Sequence, residues 1–164
     1  MKPTIIILNS KDRKVIKQFL EEEFGVSQLP EKTFFCLNKK EKVYITNKEV
    51  FDVDHDALRV NAFGNYFGMF MPDGFRLSME GSQFVGPLAT KNVVELSEAD
   101  RDRWMKGENL ETDFKPEGKY SYVIIKHKND FYSTGKVKNG EIINYVSKSR
   151  KLKKIFSALP EDID

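Results

Sequence analysis

The chain has a single cysteine, Cys36, one tryptophan and two histidines among 164 residues. One thiol excludes an internal disulfide and any site built from several thiolates, a structural zinc centre included. Cys36 stands in "FFCLN", among aromatic and apolar neighbours, where a thiol is expected as buried packing rather than as a nucleophile. The histidines are His55 and His127, and no spacing ties either of them to Ser97 or Ser133, so no hydrolytic triad is expected. Long apolar runs are missing too. The start, "MKPTIIILNSKDRK", is too short in apolar residues for a spanning helix and lacks a small-residue cleavage pattern, so a cytoplasmic chain with no membrane contact is expected.

Other absences narrow the chemistry further. Gly64, Gly68, Gly74, Gly81 and Gly86 crowd one stretch, yet it has neither the Lys-Ser/Thr ending of a phosphate loop nor the spacing of a dinucleotide fingerprint. "SMEGSQ", with Ser82, departs from the glycine-serine-glycine nucleophile elbow. "DVDHD" at 52–56 gathers Asp52, Asp54, His55 and Asp56, but a calcium loop would need Gly and Glu where Ala57 and Phe63 stand. A solvated turn or helix start is the expectation there, with no metal. No cofactor and no catalytic residue are expected anywhere in the chain.

What the chain does have is segregated charge. Lys and Arg total 27 against 25 Asp and Glu, a formal charge of only +2. Yet residues 1–114 carry a net −3, residues 115–154 a net +8 and residues 155–164 a net −3. Cations gathered into one late segment are the usual footprint of phosphate binding. The run 148–154 concentrates them, with five cations in seven residues.

Periodicity predicts a buried strand in "TIIIL" at 4–8, with Asn9 or Ser10 capping a helix whose inner face is Val15, Ile16, Phe19, Leu20 and Phe24 and whose end is Gly25. A hairpin is predicted from runs at 33–37 and 42–46, with Lys39, Lys40 and Lys42 at its tip. Strands follow near 58–62, 66–71 and 75–77, then a short helix capped by Ser78 that turns Met79, Phe84 and Val85 inward. "NVVEL" reads as a strand, Ser97 as the cap of a helix carrying Trp104 and Met105 toward a core, and 120–127, 130–138 and 141–147 as a three-stranded meander. The tail after it is expected to be loose. "GPLAT" at 86–90 is the expected boundary between two parts, 1–89 and 90–164.

"NVVELSEADRDRWMKGENL" followed by "GKYSYVIIKHKNDFYSTGKVKNG" resembles a PUA domain, the RNA-binding pseudobarrel of pseudouridine synthases and archaeosine transglycosylases, over roughly 90 to 152. "NYFGMFMPDGFRLSMEGSQFVGPLATKNVVEL" is similar to the junction before PUA in small ribosome-biogenesis factors of the Nip-seven type. Together with "GKVKNGEIINYVSKSRKL" it is also similar to the C-terminal RNA-binding portion of Sun-family RNA cytosine-5 methyltransferases. The "GENLETDFKPEGKY" loop lacks the apolar-Pro-Gly turn of many PUA domains, so no base-reading pocket is carried over to it. The fold implied is α+β: a small N-terminal α/β pre-PUA subdomain followed by a mostly β PUA-like pseudobarrel.

The resemblance implies RNA binding without chemistry, and the charge count points the same way. Lys126, Lys128, Lys136 and Lys138 on the sheet, backed by Lys148, Arg150, Lys151, Lys153 and Lys154, are the expected phosphate contacts. Strand alternation is expected to align Lys126 with Lys128 and to turn Ile125 and His127 away. Tyr132 and Tyr145 are the expected stacking planes. Two functions stay open: a non-catalytic RNA-binding protein of ribosome biogenesis or of rRNA or tRNA maturation, touching pre-ribosomal particles, and an adaptor that recruits a separate RNA-modification enzyme such as a cytosine-5 methyltransferase. The Ile- and Lys-rich composition would suit an archaeal source.

Overall fold

The computed structural model describes residues 5–30, 33–47 and 64–146. The predicted strand near 58–62, the "DVDHD" segment, the tail, and the basic run holding Lys148, Arg150, Lys151, Lys153 and Lys154 lie outside the described residues.

Helix α1 (Ser10–Phe24) begins at Asn9, whose side chain accepts the Asp12 N–H at 2.9 Å. It ends at Gly25, in left-handed backbone with φ 66°, whose N–H returns to the Glu21 and Leu20 carbonyls. A Cβ on residue 25 would meet Thr90 Oγ1 at 2.0 Å, so both the backbone and the neighbouring segment demand glycine. The buried stripe is Ile16, Phe19, Leu20, Glu23 and Phe24, whereas Val15, predicted on that face, is 54% exposed. Counting from Ile16, steps of three and four reach Phe19, Leu20, Glu23 and Phe24, and Val15 falls one residue off that line.

Strands β1 (Ile5–Ile7), β2 (Phe34–Asn38), β3 (Lys42–Thr46), β4 (Asn65–Met71) and β5 (Gly74–Leu77) pair in chain order, each antiparallel to the next, as one five-stranded sheet. β1 is an edge strand and not a fully buried one: Ile5 faces inward while Ile6 is exposed. α2 (Met79–Val85) starts at Ser78, whose Oγ accepts the Gly81 N–H at 2.9 Å, and runs into a 3₁₀ turn at Gly86–Leu88. Val85 is fully buried and Phe84 packs on the core, whereas Met79 is only half-buried.

The second sheet takes β6 (Val93–Glu95), β7 (Leu110–Glu111), β8 (Tyr122–His127), β9 (Asp130–Lys138) and β10 (Glu141–Asn144) in the order β6-β8-β9-β10-β7, with β6 parallel to β8, and curls into a half-barrel. Between β6 and β7 lies α3 (Glu98–Met105), capped by Ser97 through the Asp100 N–H. The predicted meander is β8-β9-β10. The strand of two residues at β7, pairing Leu110 with Ile142, was not anticipated.

β8 explains how the layers stack. Its "YVII" run is buried on both faces, the signature of a strand covered on each side. Tyr122 and Ile124 join Phe19, Leu20, Phe24, Phe35, Phe67 and Phe75 in the main core, under α1 and the first sheet. Val123 and Ile125 join Trp104, Leu110 and Ile142 in a second core closed by α3. The main core therefore takes side chains from both sides of residue 90.

Polar bonds reinforce that shared core. Buried Asn92 donates its amide to the Glu23 and Glu117 carbonyls and accepts the Glu117 N–H at 2.8 Å. The fully buried Glu23 carboxylate accepts the Lys119 and Tyr120 N–H groups at 2.9 and 3.2 Å. Ser82 Oγ of α2 lies 2.8 Å from Thr134 Oγ1 of β9, both buried. The whole is α+β with mostly β character.

Candidate nucleic-acid interface

The expected phosphate-binding lysines take four different local environments. Lys126 leaves β8 half-buried, its ammonium 5.3 Å from the Phe131 ring centroid. Lys128 does not share its face. β8 stops at His127, and Lys128 sits in the following turn with φ 52°, exposed, its N–H donating to Glu95 Oε1 at 2.9 Å. Strand alternation cannot carry through left-handed backbone, which is why the expected alignment of the two lysines fails. Lys138 is exposed at the end of β9.

Lys136 is engaged inside the fold. Its ammonium pairs with the carboxylate of Asp73, in the turn between β4 and β5, and lies 5.3 Å from the Tyr122 ring centroid. The hydrogen bond from Lys136 holds the Asp73 carboxyl below its ordinary range, and the Tyr122 hydroxyl donates to the same carboxylate at 3.3 Å. Burial, with the Asp73 charge beside it, pushes the Tyr122 hydroxyl well up, so that group stays protonated and donating. Lys136 thus ties the second sheet to the first.

Of the two expected stacking planes, Tyr145 is open and Tyr132 is not. Tyr145, just past β10, is 39% exposed and carries the Arg76 guanidinium 4.4 Å from its ring centroid. Tyr132 is half-buried against the second core.

Arg76 leads to a feature that sequence reasoning missed. A cleft of about 290 Å³ opens between the sheets, walled by Lys42 of β3, Tyr66 of β4 and Arg76 of β5 on one side and by Tyr145 on the other. The Lys42 ammonium lies 5.1 Å from the Tyr66 ring centroid, and burial raises the Tyr66 hydroxyl above its ordinary value. Lys42 was noticed only as part of a hairpin tip. The sole signal for Arg76 is the alternation of "GFRL", in which Phe75 and Leu77 go inward and Arg76 does not.

His127 and Ser133 are engaged in bonds within the fold. His127, buried, donates from Nδ1 to the Leu96 carbonyl at 2.8 Å, and Ser133 accepts the Trp104 indole N–H at 2.7 Å. Cys36 is buried as expected, and burial pushes its thiol up to about 11. Among the described residues no group of three or more potential ligands is placed to hold a metal, and no helix is long and apolar enough to cross a membrane.

Residues 91–151 match the family model described as the methyltransferase RsmF PUA domain. No curated protein matches the chain. A PUA domain suggests RNA binding, and in this chain the matched segment is the one that carries Lys126, Lys128, Lys138 and Tyr145. Residues 91–151 therefore form a PUA-type segment, similar to the C-terminal domains of Sun-family methyltransferases.

Proposed function

We propose that this protein binds RNA without acting chemically on it, and that it serves in the cytoplasm in ribosome biogenesis or in the maturation of rRNA or tRNA. The observation that carries the reading is the PUA match over 91–151, the segment in which the cations of the chain are concentrated. Lys126, Lys128 and Lys138 are the phosphate contacts this reading assigns among the described residues, and in sequence the run 148–154 follows them. The match to a domain named for a methyltransferase supports a second reading, in which the chain delivers a separate RNA cytosine-5 methyltransferase to its substrate.

Fluorescence-anisotropy titration of a labelled structured rRNA fragment, a single strand and a DNA duplex at two salt concentrations tests the first reading. Binding that prefers RNA, with log affinity falling by about 0.7 per neutralised phosphate per decade of salt on the single strand, is the expected result. Lys151→Ala with Lys153→Ala should flatten that slope. Failure to bind any RNA at low salt sinks the reading. A salt-insensitive complex with a methyltransferase, formed equally well by the double variant, would favour the adaptor.

A further inference from the structure

The cleft between the sheets brings together groups with no contiguity in sequence. Lys42 and Arg76 come from the first sheet and Tyr145 from the end of the second. Among the described residues neither cation is ion-paired to a carboxylate; each lies over a tyrosine ring instead. Ser133 and Thr134 of β9 also line the cleft.

Tyr145 is held in place from both sides. The Asn144 amide donates to the Trp104 and Glu108 carbonyls, the Asn144 N–H bonds Asn109 Oδ1 at 2.9 Å, and Asn144 Oδ1 takes the Val146 N–H at 2.8 Å. The stacked Tyr145–Arg76 pair is thus anchored to the end of α3, an ordered platform rather than a free side chain. A space of about 290 Å³ lies at the lower limit of small-ligand sites, which suits one nucleotide and excludes a duplex.

We propose that this cleft seats a single unpaired nucleotide of the bound RNA, its base stacked on the Tyr145–Arg76 pair and its phosphate held by Lys42 and the edge of Arg76. The proposal rests on the RNA-binding reading and gives it a preference for bulged or looped RNA. An arginine serves both roles because its planar face stacks while its five N–H donors stay in the plane. Base stacking on an aromatic ring accounts for about tenfold in affinity per base.

The test uses the full chain and two labelled hairpins sharing one stem, the first with a single bulged 2-aminopurine and the second fully paired. The wild type should bind the bulged hairpin more tightly and quench its 2-aminopurine. Tyr145→Leu should abolish the quench and cost about tenfold on the bulged hairpin alone, while Tyr145→Phe keeps both. Lys42→Gln should lower the salt slope on the bulged hairpin by about one phosphate's worth, and Lys138→Gln, outside the cleft, should affect both hairpins alike. Thermal midpoints within two degrees of wild type confirm that each variant is folded. Equal binding of both hairpins without quenching would overturn the nucleotide site and leave RNA binding standing. Failure to bind either hairpin would overturn both.

Discussion

At the scale of the residue, two side chains outside the expected interface link the chain before residue 90 to the chain after it, Asn92 strongly and Asp73 weakly. Asn92 has left-handed backbone at φ 58° and a buried amide bonded to Glu23 and Glu117. Asn92→Ala leaves those buried carbonyls unsatisfied and puts a less tolerant residue in left-handed backbone. A loss of about 2–4 kcal/mol is expected, read as a lower urea midpoint at unchanged slope. Asp73 acts more weakly. Its carboxyl, held down by Lys136, titrates below the ordinary 3.8 in the folded state, so its stabilisation is present at neutral pH and is lost as pH falls through and below that value. Asp73→Asn should cost under about 1 kcal/mol at pH 7, because the pair is partly solvated, with Asp73 itself 44% exposed. The difference between wild type and variant should fade in acid, and a constant gap between pH 3 and pH 7 would show that the pair contributes nothing. Neither residue was legible beforehand. Asn92 and Glu23 are 69 positions apart, and a buried polar bond leaves no local pattern.

At the scale of the element, legibility followed the strength of the local signal. α1 announced both its ends, because Asn9 and Gly25 are residues whose side-chain chemistry and backbone freedom suit a cap. The β8-β9-β10 meander was legible from its alternation, and Ser78 and Ser97 each capped the helix predicted for it. β7 was not legible: two residues, one of them charged, have no period to detect, and Leu110 becomes a strand only because Ile142 lies beside it. The same limit governed the interface. Tyr145 could be singled out from its neighbourhood of cations, but its partner Arg76 lies 69 positions earlier, in an acidic part of the chain. Only the pairing of two sheets brings them within 4.4 Å. Lys136 shows the reverse case: one of a row of lysines in sequence, it is turned by the fold onto Asp73.

At the scale of the whole molecule, the boundary suggested by "GPLAT" separates two sheets in chain order but does not separate two cores. Tyr122 and Ile124 of β8 are buried against Phe19, Phe67 and Phe75 from the first sheet and its helix, so removing residues 1–89 would expose them. At about 1.5–3 kcal/mol for each large side chain returned to water, that loss is a large part of the 5–15 kcal/mol that typical domains possess. The two halves are therefore expected to unfold together. Trp104, the chain's one tryptophan, lies in the second core with its indole bonded to Ser133, and its fluorescence reports on that core. Far-ultraviolet circular dichroism instead follows the backbone, to which α1 contributes the longest helix among the described residues. Urea transitions followed by the two signals should coincide in midpoint and slope, and a fragment of residues 90–164 should lack a cooperative transition. A tryptophan transition displaced from the circular dichroism, or a cooperatively folding fragment, would show that the PUA segment stands alone. The cleft between the sheets would then be a joint between separable units instead of a site built into one.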